Sequence, residues 1–160
     1  RNLGGYINAV TGRNMLLWNG ACHVHEQFSL EKLIELKAQY PEAKVLVHPE
    51  CKKEIADLAD VVGSTQALLN YAVDGEFTQF LVCTESGILH EMQKRCPEKE
   101  FIPVPPAGRA CANNECDYMR MNTLEKLYLC LRDEQPAIEV DEAIRERAVR
   151  PIHKMLEMSK

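Results

Sequence analysis

Apolar runs alternate with amphipathic stretches over most of the chain, and this alternation predicts its elements. Met15-Leu16-Leu17-Trp18 reads as a short buried strand. Phe28-Ser29-Leu30 leads into a helix over 31–40, where Leu30, Leu33, Ile34 and Lys37 fall at helical spacing. Ser29 is placed to cap that helix and Pro41 to stop it. Residues 44–48 are apolar and β-branched, as central parallel strands are, and Pro49-Glu50-Cys51 then turns into a helix over 52–59. A short strand over 60–62, the turn Gly63-Ser64-Thr65 and a helix over 66–73 follow. A strand over 79–83, the turn Thr84-Glu85-Ser86-Gly87, a helix over 88–95 and a strand over 100–103 complete the rhythm.

Such a β-α-β-α order with short connections predicts an α/β fold: a three-layer α/β/α domain with a parallel sheet between two helical layers. Right-handed crossovers set the C-terminal ends of all strands along one edge. The segment Pro103-Val104-Pro105-Pro106-Ala107-Gly108 breaks the rhythm. Beyond it lie two helices, over 123–131 and 142–158, a C-terminal helical tail expected to pack back on a sheet layer. The opening Arg1-Asn2-Leu3-Gly4-Gly5 reads as a loop feeding the next element, so the chain is expected to begin inside a larger protein.

The 160 residues are enough for one well-buried domain, alone or with an appendage, and 46% hydrophobic with 27% charged residues is an ordinary globular balance. A formal net charge of −5 argues against non-specific nucleic-acid binding. No apolar run is long enough to predict a transmembrane helix, and no signal-peptide pattern opens the chain. The seven cysteines form no regular disulfide framework and read as thiols of a cytoplasmic protein. Of these, Cys51, Cys83, Cys96 and Cys130 read as ordinary buried or helix-face thiols.

In open α/β sheets ligands bind outside the carboxyl ends of the strands. Four predicted ends carry reactive or anion-binding residues: Cys22-His23-Val24-His25, His48-Pro49-Glu50, Gly63-Ser64-Thr65 and Thr84-Glu85-Ser86-Gly87. The last two sit at helix starts, where free N–H groups and hydroxyls either cradle an oxyanion or simply cap the helix; in the second of them Glu85 opposes an anion unless it points away. Pro49 fixes the relative directions of His48 and Glu50, a donor and a general base if they face a substrate, a cap and a surface acid if they do not. Cys22, Cys111 and Cys116 with a histidine are donors for zinc, although their spacing lacks the usual paired knuckle. Widely separated thiols suit an iron–sulfur cluster at least as well, and three thiolates leave one iron open as a Lewis acid.

Five blocks in order carry a resemblance to a known family. They are Trp18-Asn19-Gly20-Ala21-Cys22 with Val24-His25-Glu26, Val45-Leu46-Val47-His48-Pro49-Glu50, Val62-Gly63-Ser64-Thr65, Thr84-Glu85-Ser86-Gly87-Ile88-Leu89-His90 and Cys116-Asp117-Tyr118-Met119-Arg120-Met121-Asn122. Together they resemble quinolinate synthase, from Asn2-Leu3-Gly4 to the last helix.

That resemblance implies condensation of iminoaspartate with dihydroxyacetone phosphate to quinolinate, phosphate and water, in de novo NAD biosynthesis. It implies L-aspartate oxidase or aspartate dehydrogenase as the partner enzyme, and neither nucleic acid nor membrane as a partner. It further implies three pseudo-symmetric α/β domains that each give one cysteine to a 4Fe-4S cluster. Cys22 and Cys116 match two of those ligands. His48 and Glu50 match the substrate-binding His and catalytic Glu, and Ser64 and Thr65 match residues that hold a substrate carboxylate or phosphate. By the same likeness Met119 and Met121 line the cluster pocket, His25 lies beside Cys22, and Cys111 is a redox partner for Cys116. Residues 1–20 then end a preceding domain, 21–105 form the α/β/α domain, and 106–160 hold the ligand loop and C-terminal helices. The third cysteine falls before Arg1, so the chain is expected to be inactive alone. Two rival readings are a zinc-bound structural or regulatory module, and a non-catalytic α/β domain that binds a phosphorylated metabolite.

Overall fold

The most apolar segments of the chain become its central strands in a computed structural model, which describes residues 1–108 and 114–159. Four strands, β1 (Lys44–Val47), β2 (Val61–Val62), β3 (Gln79–Cys83) and β4 (Glu100–Pro103), form one sheet in the order β2-β1-β3-β4. Every pairing is parallel, with Val45 opposite Leu81 and Val47 opposite Cys83 at the centre. Helices α1 (Asn2–Thr11), α2 (Leu30–Gln39), α3 (Lys53–Ala56), α4 (Thr65–Asp74) and α5 (Ile88–Arg95) belong to the same compact unit, Arg1–Asp117.

Side-chain alternation along the strands separates the two helical layers. Val45, Val47, Leu81 and Cys83 pack with Phe28, with Leu33 of α2 and with Ile55 of α3. On the opposite face, Leu46, Phe80 and Val82 pack with Leu68, Leu69 and Ala72 of α4 and Met92 of α5. The direction of travel across the sheet and the face that carries the helix reverse together, as a single crossover hand demands. This is the predicted three-layer α/β/α fold, and the Ser29 hydroxyl caps α2 by accepting from the Lys32 N–H at 3.2 Å.

Two predicted elements differ. Residues 15–18 are not a strand: they pair with none of the described strands, and Leu16 and Trp18 are 101% and 87% exposed. The segment instead runs as a strap against α1, held by Asn8, whose Oδ1 accepts from the Met15 N–H at 2.9 Å. Leu17 lies so close that a Cβ on Gly4 would meet its Cδ2 at 2.4 Å. The Gly4-Gly5 stretch, read as a loop, lies inside α1, and the approach of Leu17 accounts for the glycine at position 4. The helix stops at Gly12, whose φ of +68° suits a left-handed cap.

A second unit, Tyr118–Lys160, is helical. The short helix α6 (Asp117–Arg120) spans its start, followed by α7 (Leu124–Asp133), capped by Thr123, and α8 (Glu142–Met158), capped by Asp141. No helix among the described residues is long and apolar enough to cross a membrane.

Candidate active site

Strand order doubles back between β1 and β3, because β2 lies to one side of β1 and β3 to the other. The loops leaving β1 and β3 therefore run to opposite faces and open a crevice at their carboxyl ends, the usual ligand site of such sheets. His48-Pro49-Glu50 leaves β1 there and Thr84-Glu85 leaves β3. The His48 N–H donates to the Cys83 carbonyl at 3.1 Å, so the ladder continues one residue beyond β1 before the loops part.

Cys22 reaches this crevice from a tight turn. The Glu26 N–H donates to the Cys22 carbonyl at 3.0 Å, opening a single 3-10 turn over His25–Gln27. The chain beyond β4 holds that turn: the Ala107 N–H donates to the Gln27 carbonyl at 2.8 Å, and buried Phe28 bridges to Pro106. As a result Cys22 Sγ, a His25 ring nitrogen and a Glu50 carboxylate oxygen lie within 4.8 Å of one another.

His25 is buried, with Nε2 at 3.2 Å from the Thr84 hydroxyl and Nδ1 without a partner among the described residues. Its ring stacks on His48, with centroids 4.5 Å apart. Burial, and then the neighbouring His48, push the His25 pKa down to about 4, against opposing pulls from Glu50 and Glu85. Burial also lowers His48, against the pull of Glu50. Both imidazoles are thus neutral near pH 7. His48 Nδ1 accepts from the Glu50 N–H at 3.3 Å, which leaves the proton on Nε2 as a donor for a substrate oxygen.

Asn2 holds the Glu50 loop from outside. Its amide donates to the Glu50 carbonyl at 3.0 Å and to Glu26 Oε1 at 2.5 Å. The Asn2 bond holds the Glu26 carboxyl below its usual range, and Arg1, at 3.0 Å, adds to this. A cavity of about 590 Å³ opens here, with Asn2, Trp18, Cys22 and Glu50 among its walls. That volume suits a small metabolite.

The thiols divide by environment. Burial pushes the Cys51 pKa up to about 12 and that of Cys83 well above the ordinary thiol value, and Cys96 is also buried. Metals bind thiolates, so Cys51 and Cys83 are poor ligands. Cys22 and Cys116 are the half-buried thiols described in the first unit, while Cys130 is exposed on α7. Cys116 stands outside the Cys22–His25–Glu50 group; its N–H donates to Glu85 Oε1 at 3.2 Å. Cys111 lies outside the described residues.

Three further sequence expectations meet their surroundings here. Ser64 and Thr65 are exposed at the start of α4, and the Ser64 hydroxyl accepts from the Ala67 N–H at 3.2 Å as a cap, leaving its own O–H to donate. Thr84-Glu85-Ser86-Gly87 is not an anion cradle, because Glu85 Oε2 already takes the Gly87 N–H at 2.7 Å. Met119 and Met121 are exposed in the second unit. Sequence reasoning missed Asn2, whose partners are far away in the chain, and it read Thr84 only as a helix-start hydroxyl rather than as the partner of His25.

Comparison with known proteins gives the family of the chain. The family model described as "Quinolinate synthetase A protein" matches residues 1–157. A quinolinate synthase of Thermosynechococcus vestitus is 55% identical over 159 residues, 99% of this chain and 50% of that protein. The quinolinate synthase of Chloroherpeton thalassium is 54% identical over 160 residues, 100% of this chain and 50% of that protein. That of Trichodesmium erythraeum is 49% identical over 159 residues. The chain spans about half the length of the curated relatives it matches. A match that runs from the first residue almost to the last shows that this chain belongs to the quinolinate synthetase A protein family.

Proposed function

We propose that this chain carries part of the active site of a quinolinate synthase, a cytoplasmic enzyme that condenses iminoaspartate with dihydroxyacetone phosphate to give quinolinate, phosphate and water. An L-aspartate oxidase or aspartate dehydrogenase would supply the iminoaspartate. The observation that carries this reading is the meeting of Cys22, His25 and Glu50 at the sheet's switch point, with His48 stacked beside them.

The residues present fit a 4Fe-4S cluster. Cys22 and Cys116 are free, half-buried thiols, whereas Cys51, Cys83 and Cys96 are shut away. Glu85 links the Cys116 backbone to the strand-end loop whose Thr84 bonds His25. Cys22 and Cys116 would hold two of the irons, and a third thiolate would come from the part of the protein beyond this chain. When bound, such a cluster supplies a Lewis-acid iron open to a hydroxyl or carbonyl oxygen.

The chain's own residues then have separable tasks. Glu50 moves protons at the carbon atoms that lose them during dehydration and ring closure. His48 donates from Nε2 to a substrate oxygen, and the neutral His25 behind it keeps the ring in place. Ser64 and Thr65, at the start of α4, hold a carboxylate or phosphate with a hydroxyl and the free N–H groups of the first turn.

The mixed sulfur, nitrogen and oxygen donors of Cys22, His25 and Glu50 also support a second reading, a mononuclear zinc site. Quinolinate formation by the full-length protein separates them. Glu50→Gln should lower turnover by about 100-fold or more with the cluster content unchanged. Parental turnover in that variant would contradict the assignment of Glu50.

A further inference from the structure

Each carboxylate oxygen of Glu85 has its own backbone partner. Oε2 accepts from the Gly87 N–H at 2.7 Å, a local bond inside the turn before α5. Oε1 accepts from the Cys116 N–H at 3.2 Å, across 31 residues of chain. The first bond closes the turn over two residues. The second joins distant segments, and it falls on a residue read above as a cluster ligand.

We propose that Glu85 is a positioning residue for Cys116: its carboxylate clasps the loop that presents this thiol to the β3–α5 turn. The importance of Cys116 rests on the functional reading above, whereas the clasp rests on geometry alone.

A second tie lies two residues away. The Ser86 N–H donates to the Asn114 carbonyl at 3.3 Å, so residues 114 and 116 are each bonded to the turn that holds Glu85. Asn114 is itself anchored: it is 3% exposed, and its side-chain amide donates to the Val104 carbonyl, just past β4, at 2.5 Å. Its φ of +51° is one that asparagine tolerates better than most residues. The loop thus hangs from β4 through Asn114 and from β3 through Glu85. Gly87 makes room for the clasp, since a Cβ there would lie 2.7 Å from Glu85 Oε2. An ionised acceptor is the stronger choice for a two-donor clamp, and only a carboxylate offers an acceptor to both N–H groups.

The test uses the full-length protein with Glu85→Gln, whose amide keeps one acceptor oxygen and turns an NH₂ group toward the other N–H. Iodoacetamide labelling of the cluster-free protein is followed by peptide mass spectrometry at Cys116, with Cys22 as the internal reference. Glu85→Gln should label Cys116 about fivefold faster with Cys22 unchanged, the population factor of one lost hydrogen bond. After iron and sulfide are supplied, the variant should lose its cluster to a chelator faster than the parent. Glu85→Asp, which keeps the charge but is one methylene too short to span both donors, should show the same contrast and serves if Glu85→Gln does not fold. Parental labelling of both thiols would overturn the clasp, and so would equal acceleration of both, which signals general loosening. A parent that never holds iron and sulfide, yet shows the Cys116 contrast, would support the clasp and contradict the cluster.

Discussion

At the scale of single residues, the site is built by side chains that restrain one another. His25 is fixed by Thr84 at one nitrogen and by stacking on His48, and His48 accepts from the Glu50 backbone. The residue types were legible, but the contacts of His25 were not, because they join residues 23 and 59 apart. Polar partners at that separation leave no periodic trace. Asp60 shows the same economy outside the site: one oxygen accepts from the Val45 N–H at 2.8 Å and the other from Lys44 at 2.9 Å. Burial pushes its carboxyl up, but the Val45 and Lys44 bonds outweigh it and hold the carboxyl below its ordinary value. A depressed carboxylate adds stability above its unfolded value, and that stability is lost as pH falls through the folded one. Asp60→Asn should therefore cost about 1 kcal/mol in urea unfolding at pH 7. The gap to the parent should close toward pH 3; a gap that widens there would contradict this account of the pair.

Among the elements, burial decides what the apolar pattern means. Residues 44–47 and 79–83 were read correctly because an apolar, β-branched run of that length between turn residues has one good home, the centre of a parallel sheet. The run over 15–18 is as short and apolar but has no β-branched residue, and its fate differs: among the described residues no strand pairs with it, and it lies against α1. Apolar character alone does not tell these cases apart; β-branching and the topology do. The helix start at Ser29 and the strand ends were equally legible, as capping and turn chemistry are local. Leu46→Ala, in the closed layer against α4, should cost about 3 kcal/mol. Leu16→Ala, on the exposed strap, should change stability by less than about 0.5 kcal/mol. Equal losses in thermal or urea unfolding would restore residues 15–18 to the core.

For the whole molecule, the order β2-β1-β3-β4 places one crevice where Cys22, His25, His48 and Glu50 meet, and Glu85 hangs the Cys116 loop on the same edge. The chain covers about half the length of its relatives, and under the proposed function Cys22 and Cys116 would be two of the cluster's three thiolates. The most direct test is iron and acid-labile sulfide per chain in the full-length protein purified without oxygen, beside its Cys116→Ser variant. The account predicts about four of each in the parent and a collapse of both in the variant. Zinc without sulfide, or iron indifferent to Cys116, would contradict it.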